Sequence, residues 1–145
     1  NGNKSELKSI MKEIINKKDR TYSPLALYFL IDNDIQLTNG EVNNYFDLII
    51  NEINLDEEIK NLNIYKKALF NSSFVSENEL LLILKPIINS DSLWKPHALI
   101  LLGEYFLDKN QNQKAKEFFN QILNIENTNE QLKIEAKKRL INIGE

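Results

Sequence analysis

Apolar side chains recur along this chain every three to four residues, in stripes separated by short polar turns. Leu7, Ile10, Met11, Ile14 and Ile15 set that period and predict a first helix over about residues 4–17. Ser23 followed by Pro24 reads as an N-cap with Pro at the first helical position. Leu25 to Ile31 is apolar on every side, which predicts a second helix buried by neighbours all round. It runs into the polar turn Asp32–Asn33–Asp34, and Asn39–Gly40 is a further turn signal. Val42, Tyr45, Phe46, Ile49, Ile50 and Ile53 form a third stripe. Asp56, Glu57 and Glu58 put negative charge on the first turn of a fourth helix, whose inward stripe reads Ile59, Leu62, Tyr65 and Leu69 with Ala68 alongside.

Ser76 and Glu79 have the spacing of a capping box and open a fifth helix from Glu77 to about Lys85, where Pro86 should end or kink it. Lys95–Pro96 opens a sixth, almost wholly apolar over Ala98 to Leu102 and Tyr105 to Leu107. Asn110–Gln111–Asn112 is the next turn, Ala115, Phe118, Phe119, Ile122 and Leu123 the seventh stripe. Thr128 is placed to cap an eighth helix with Leu132, Ala136, Leu140 and Ile143 facing the core. Short loops between helices of this length make sequential helices antiparallel neighbours. The expectation is an all-α fold of about eight helices, antiparallel hairpins stacked as a right-handed α-solenoid in a single domain over residues 1–145.

The pattern repeats. Pro24 and Pro96 are 72 residues apart (96 − 24), and Phe46 and Phe119 are 73 apart (119 − 46). Each Pro leads into an apolar helix, a polar turn and a helix bearing an aromatic pair, as stacked helical hairpins do. The second copy is the sharper. Over residues 96–129, Leu99, Leu102, Gly103, Phe106, Ala115, Phe119 and Ile122 have the spacing of a tetratricopeptide repeat. Gly103 lets the two helices of the hairpin approach, with Ala115 the small residue opposite. Leu102 and Phe106 fill the hairpin, and Phe119 and Ile122 reach the next helix. Asn110 stands where such repeats usually carry a turn Gly, and the first copy lacks a counterpart of Gly103.

Composition narrows the function. A 42% hydrophobic and 27% charged chain of 145 residues has globular proportions, and 4 Gly with 3 Pro are too few for the tight turns of an all-β fold. The net charge of −3 leaves no basic footprint for nucleic acid. The runs Lys17–Lys18, Lys66–Lys67 and Lys137–Lys138–Arg139 fall near helix C-termini or on outer faces, where they offset the helix dipole. The absence of Cys excludes disulfides, thiol catalysis and zinc–thiolate sites. One His, His97, cannot build a metal site or a catalytic triad alone, and no Gly-rich phosphate loop is present. No enzyme, cofactor or metal is expected. No apolar run approaches the roughly 20 residues of a membrane span. The chain begins at Asn1 without Met, which reads as a processed chain or an excised soluble piece.

What remains is binding. Trp94, the single Trp, reads either as a staple packing the start of the sixth helix or as a contact aromatic at a groove edge. Tyr22 and Tyr28 pose the same choice, and the apolar surroundings of Tyr28 favour a core residue with its hydroxyl satisfied. As contact positions for a protein or peptide partner, Tyr28 and Tyr105 stand out on the first helices of their pairs, with Trp94 just before the sixth helix. A second possibility is a homo-oligomer, the stack continuing through its end helices into another copy.

Leu93 to Leu99, Leu102 to Asn110, Ala115 to Phe119 and Glu135 to Leu140, with Tyr22 to Ala26, together resemble a bacterial tetratricopeptide-like family typified by the ancillary subunit of the Sec translocon. The resemblance implies an N-terminal membrane helix, missing from this chain, followed by a periplasmic helical-repeat domain. It implies a non-catalytic scaffold tethered to the inner membrane and meeting the translocon, periplasmic chaperones or emerging envelope proteins. A cytoplasmic adaptor is the alternative.

Overall fold

The computed structural model describes residues 2–144 and builds eight helices: α1 (Gly2–Asn16), α2 (Tyr22–Asp32), α3 (Asn39–Glu52), α4 (Glu57–Asn71), α5 (Glu77–Ile88), α6 (Lys95–Asp108), α7 (Asn112–Leu123) and α8 (Glu130–Ile143). No strand occurs among the described residues. The fold is all-α, as the apolar periodicity requires. Contacts gather into two compact units, residues 1–67 and 68–145, with the boundary in the last turn of α4.

The repeat is visible in where helices begin. The first residues of α2, α3 and α4 precede those of α6, α7 and α8 by 73 each (95 − 22, 112 − 39, 130 − 57). Helix α6 is three residues longer than α2, and the connection after it is three residues shorter, so the register recovers by α7. Both helices stop in the same way. Asp34 and Asn110 take left-handed φ of 52° and 58°. Their amides reach the carbonyls of Ile31 and Leu107, and the amides of Ile35 and Gln111 reach those of Leu30 and Phe106. That paired bond pattern is the Schellman motif, and Asn and Asp tolerate its left-handed position better than other non-Gly residues.

In the first unit, α1 is tied to α3 by Lys12 and Glu41 at 2.6 Å, and α4 to α3 by Lys67 and Asp47 at 2.7 Å. Ile15, Leu27, Leu30, Val42, Phe46 and Ile49 form its core. In the second, α6 and α7 close on one another. A Cβ built on Gly103 would lie 2.5 Å from the Phe119 ring, far inside van der Waals contact. Phe119 itself, and not only Ala115, therefore occupies the space that Gly103 leaves. Leu99, Leu102, Phe106, Ala115, Phe119 and Ile122 are all buried, at 1% exposure or less. Phe106 stacks on Phe118 with centroids 5.5 Å apart. Glu77 on α5 and Glu104 on α6 pair with Lys114 on α7 and Arg139 on α8.

Several local expectations are corrected. Ser23 is not the N-cap of α2; Thr21 holds that position without a side-chain bond, and Ser23 is a fully buried residue inside the first turn. Asn39–Gly40 is not a turn but the first turn of α3, whose capping box is formed by Thr38 and Glu41. The box at Ser76 and Glu79 forms as expected. Pro86 does not end α5, which continues to Ile88; Leu82 and Pro86 share an exposed outer face, where water can take the carbonyl that Pro leaves unpaired. Asn129, not Thr128, caps α8, its side chain accepting from the Gln131 amide. The inward face of α4 is also different: Ile59 and Leu69 are 44% and 50% exposed, while Asn61, Asn63, Ile64, Ala68 and Asn71 are buried. Asn63 is admitted because its amide donates to the Ile59 carbonyl and its oxygen accepts from the Tyr28 hydroxyl. Of the expected α8 core positions, Ala136 is buried and Leu132, Leu140 and Ile143 are half-buried.

Two glycine substitutions test this packing with opposite signs. Gly103→Ala gains roughly 0.5–1 kcal/mol in helix propensity, but displacing the Phe119 ring costs about 1–3 kcal/mol, so chemical denaturation should show net destabilisation. Gly40→Ala meets nothing nearer than Thr38 Oγ1 at 3.8 Å, and should be neutral or stabilising by up to ~1 kcal/mol. Acid provides a second test. The Lys12 ammonium and then the Thr38 amide, both bonded to Glu41, hold its carboxyl down at about 2. A lowered folded pKa contributes stability above the unfolded value of 4.5 that is lost as pH falls through about 2. Between these limits the wild-type chain should lose stability more steeply than Glu41→Gln, as read from melting temperature against pH.

Candidate functional site

A buried hydroxyl shapes the turn between α1 and α2. The chain leaves α1 through Lys18 at φ 56°, with its amide on the Ile15 carbonyl. A Schellman end would next bring the Asp19 amide to the Ile14 carbonyl. Ser23 Oγ stands between them instead, accepting from the Asp19 amide and donating to the Ile14 carbonyl, both at 2.8 Å. Asp19 then turns its carboxylate to the amides of Thr21 and Tyr22, satisfying the start of α2 and lowering its own pKa. Pro24 lies in the first turn, where its missing donor is no loss.

Locked in this way, α1 and α2 leave between them an open groove of about 710 Å³. Met11 and Ile14 line one wall, Leu25, Ala26 and Phe29 the other, and Tyr22 stands near the turn. The turn contributes Lys17, Lys18, Asp19 and Arg20. Helix α2, read from sequence as buried all round, is not. Tyr22, Leu25 and Phe29 are 65%, 53% and 37% exposed. They follow one another at i, i+3 and i+7, one stripe along the helix. Ser23, Pro24, Ala26, Leu27 and Leu30 carry the buried face. Helix α6, of similar apolar character, is buried from Ala98 to Leu102 and at Tyr105 and Phe106.

The sequence-nominated contact residues lie elsewhere. Tyr28 points away from the groove toward α4: its hydroxyl donates to Asn63, Lys66 Nζ sits 4.4 Å from its ring centroid, and burial pushes its pKa up to about 12. Tyr105 is only 6% exposed, and its hydroxyl donates to the Val75 carbonyl at 2.9 Å. Both act as internal ties between elements of their own units, Tyr28 half-buried and Tyr105 buried. Trp94 is the N-cap residue of α6, half-buried, with its ring centroid 5.0 Å from that of His97. Burial lowers the His97 pKa and favours the neutral ring. Of the groove stripe, the sequence offered Tyr22 as a contact aromatic; Leu25 and Phe29 were missed because an all-apolar helix conceals which of its faces is covered. The signal that marks it is Tyr22, Leu25 and Phe29 at helical spacing, directly after Lys17–Lys18–Asp19–Arg20.

Two other concavities, of about 610 and 360 Å³, are smaller. At the ends of α6 and α8, Arg139 pairs with Glu104 at 2.7 Å and Glu135 at 3.6 Å. A notch of about 360 Å³ exposes Leu82 beside Leu81, Leu102 and Phe118. Among the described residues, no three His, Cys, Asp or Glu side chains gather as metal ligands would, and no helix is long and apolar enough to cross a membrane.

The open face of α2 makes a stability prediction. Leu27→Ala, on the buried face, should cost about 2–5 kcal/mol, whereas Leu25→Ala should cost less than about 1 kcal/mol, both read from urea unfolding.

Comparison of the chain with protein-family models, with curated proteins and with solved structures finds no match.

Proposed function

We propose that this protein is a non-catalytic scaffold that binds other proteins, with the α1–α2 groove as a docking site. The observation that carries the reading is the uncovered stripe of Tyr22, Leu25 and Phe29 above Met11 and Ile14. Large contiguous apolar surface is seldom left open without a partner. Stacked helical hairpins present such faces to peptides or domains, and a tetratricopeptide-like solenoid is the arrangement that the repeat of helix starts supports. On the family resemblance, the scaffold is periplasmic and tethered to the inner membrane, and its partners are the Sec translocon, periplasmic chaperones or emerging envelope proteins.

A second reading, self-association, is favoured by α8, where Ile134 and Ile141 are 43% and 76% exposed one heptad apart. Mass measured against concentration, with Ile141→Asp as the control, separates it from partner binding.

Photo-crosslinking groups at Tyr22, Leu25 and Phe29, with one at Lys116 on α7 as a control, test the main reading in cells expressing the natural full-length protein. The expected result is a discrete set of protein adducts at the three groove positions, absent from the control and including translocon or chaperone subunits. Identical adducts at all four positions, or adducts only between copies, would contradict the docking site. Groove adducts confined to cytoplasmic proteins would retain the scaffold and remove the periplasmic assignment.

A further inference from the structure

We infer that Asn39–Gly40 is a site of spontaneous covalent modification, where the Asn39 side chain deamidates through a succinimide at a rate set by the capping box that opens α3. The modification needs no partner protein and is independent of the docking reading above. Its chemistry lies in the dipeptide. The Gly40 nitrogen attacks Asn39 Cγ, a C–N bond forms, the Cγ–Nδ2 bond breaks, and ammonia leaves with the amide proton. Water then opens the five-membered ring at either carbonyl, giving an aspartyl or an isoaspartyl linkage. Glycine hinders that attack least, because it carries no Cβ. Both residues are exposed, and a Cβ on Gly40 would meet nothing nearer than Thr38 Oγ1 at 3.8 Å, so no packed side chain covers the approach. Gly40 lies in the first turn of α3, where its N–H has no carbonyl four residues back within the helix. The first bond of that kind runs from the Val42 amide to the Thr38 carbonyl.

Backbone geometry decides when attack occurs. The ring closes only when the Cα–C bond of Asn39 has swung well away from helical ψ. Reaction therefore starts from molecules whose first turn has frayed, and its rate is the intrinsic rate multiplied by the frayed fraction. The capping box bridges this dipeptide: Thr38 Oγ1 accepts from the Glu41 amide at 3.0 Å, and Glu41 Oε1 accepts from the Thr38 amide at 3.2 Å. Lys12 of α1 holds the other oxygen of Glu41 at 2.6 Å. One turn on, the Asn43 side-chain amide donates to the Asn39 carbonyl at 3.0 Å, a brace on the peptide group that must rotate. The two products have opposite effects. An aspartyl carboxylate in the first turn is favoured by the helix dipole. An isoaspartyl linkage inserts a methylene between Thr38 and Glu41, so the reciprocal bonds of the box fail together and the tie between α1 and α3 loosens with them.

The test is incubation of the intact chain in mildly alkaline buffer beside a synthetic peptide of residues 36–43. Conversion is read by peptide mass mapping and by isoaspartyl methyltransferase labelling, on chains that a circular dichroism melt shows to be folded. The peptide should convert fastest. The intact chain should convert more slowly at Asn39, with Asn43 of the same helix unchanged. Thr38→Ala should speed the intact chain about fivefold, the factor by which loss of a typical N-cap raises the frayed population. Thr38→Ser should keep the wild-type rate, and neither substitution should alter the peptide. Gly40→Ala should suppress conversion in both. Conversion in the peptide without any in the intact chain overturns the site. An intact chain as fast as the peptide, or unchanged by Thr38→Ala, overturns control by the capping box. The purified isoaspartyl chain should also melt below Asn39→Asp; equal melting would contradict the loosened tie.

Discussion

The Ser23 hydroxyl is the constraint on which the proposed site depends. It is fully buried, and it stands between one donor and one acceptor that would otherwise bond to each other across the end of α1. A relay of this kind lengthens the turn and fixes two helix ends with one side chain. Leaving both backbone groups unpaired would cost about 1–3 kcal/mol apiece, a large share of a small domain's stability. The position of α2 against α1, and so the width of the groove between them, follows from that local demand for satisfied hydrogen bonds.

The second unit meets a related demand by different means. There the apolar helix is α6, and it is covered: Gly103 admits the Phe119 ring, Phe106 stacks on Phe118, and the Tyr105 hydroxyl reaches back to the segment before α5. The two copies share helix starts spaced 73 apart and the same Schellman ending, yet α2 keeps a stripe of large apolar side chains in solvent where its counterpart α6 is buried. An interior that closes on itself needs shape complementarity throughout. A helix that shows apolar side chains beside cations retains surface for another molecule. This contrast between duplicated elements, more than the presence of any one residue, supports an interaction role for the first unit.

Much of this architecture is legible in the sequence, for identifiable reasons. Capping at Ser76–Glu79, the end of α2 at Asp32–Asn33–Asp34 and the tight hairpin at Gly103 are local chemistry, and local chemistry is written in neighbouring residues. Tertiary choices are not. Ser23 resembles an N-cap, and Ser does favour that role; only the nearness of Ile14 turns it into a relay. Asn63 looks like a surface residue until Tyr28 is brought to it. The capping box at Thr38–Glu41 was readable and was concealed by the stronger turn signal of Asn39–Gly40. For the site, Leu25 to Ile31 discloses an apolar helix but not which face lacks a neighbour. The aromatic positions nominated for contact, Tyr28 and Tyr105, are spent on internal hydrogen bonds, while Tyr22, Leu25 and Phe29 hold the open face.

The central claim is that this open face is a docking site for another protein, and amide chemical-shift mapping tests it most directly. An isotope-labelled sample of the intact chain, titrated with the partner recovered by crosslinking at the groove, should show perturbations concentrated at Met11, Ile14 and Lys17 to Phe29, with α7 and α8 unaffected. Perturbations centred on Ile134 and Ile141, or spread evenly over the chain, would contradict the account.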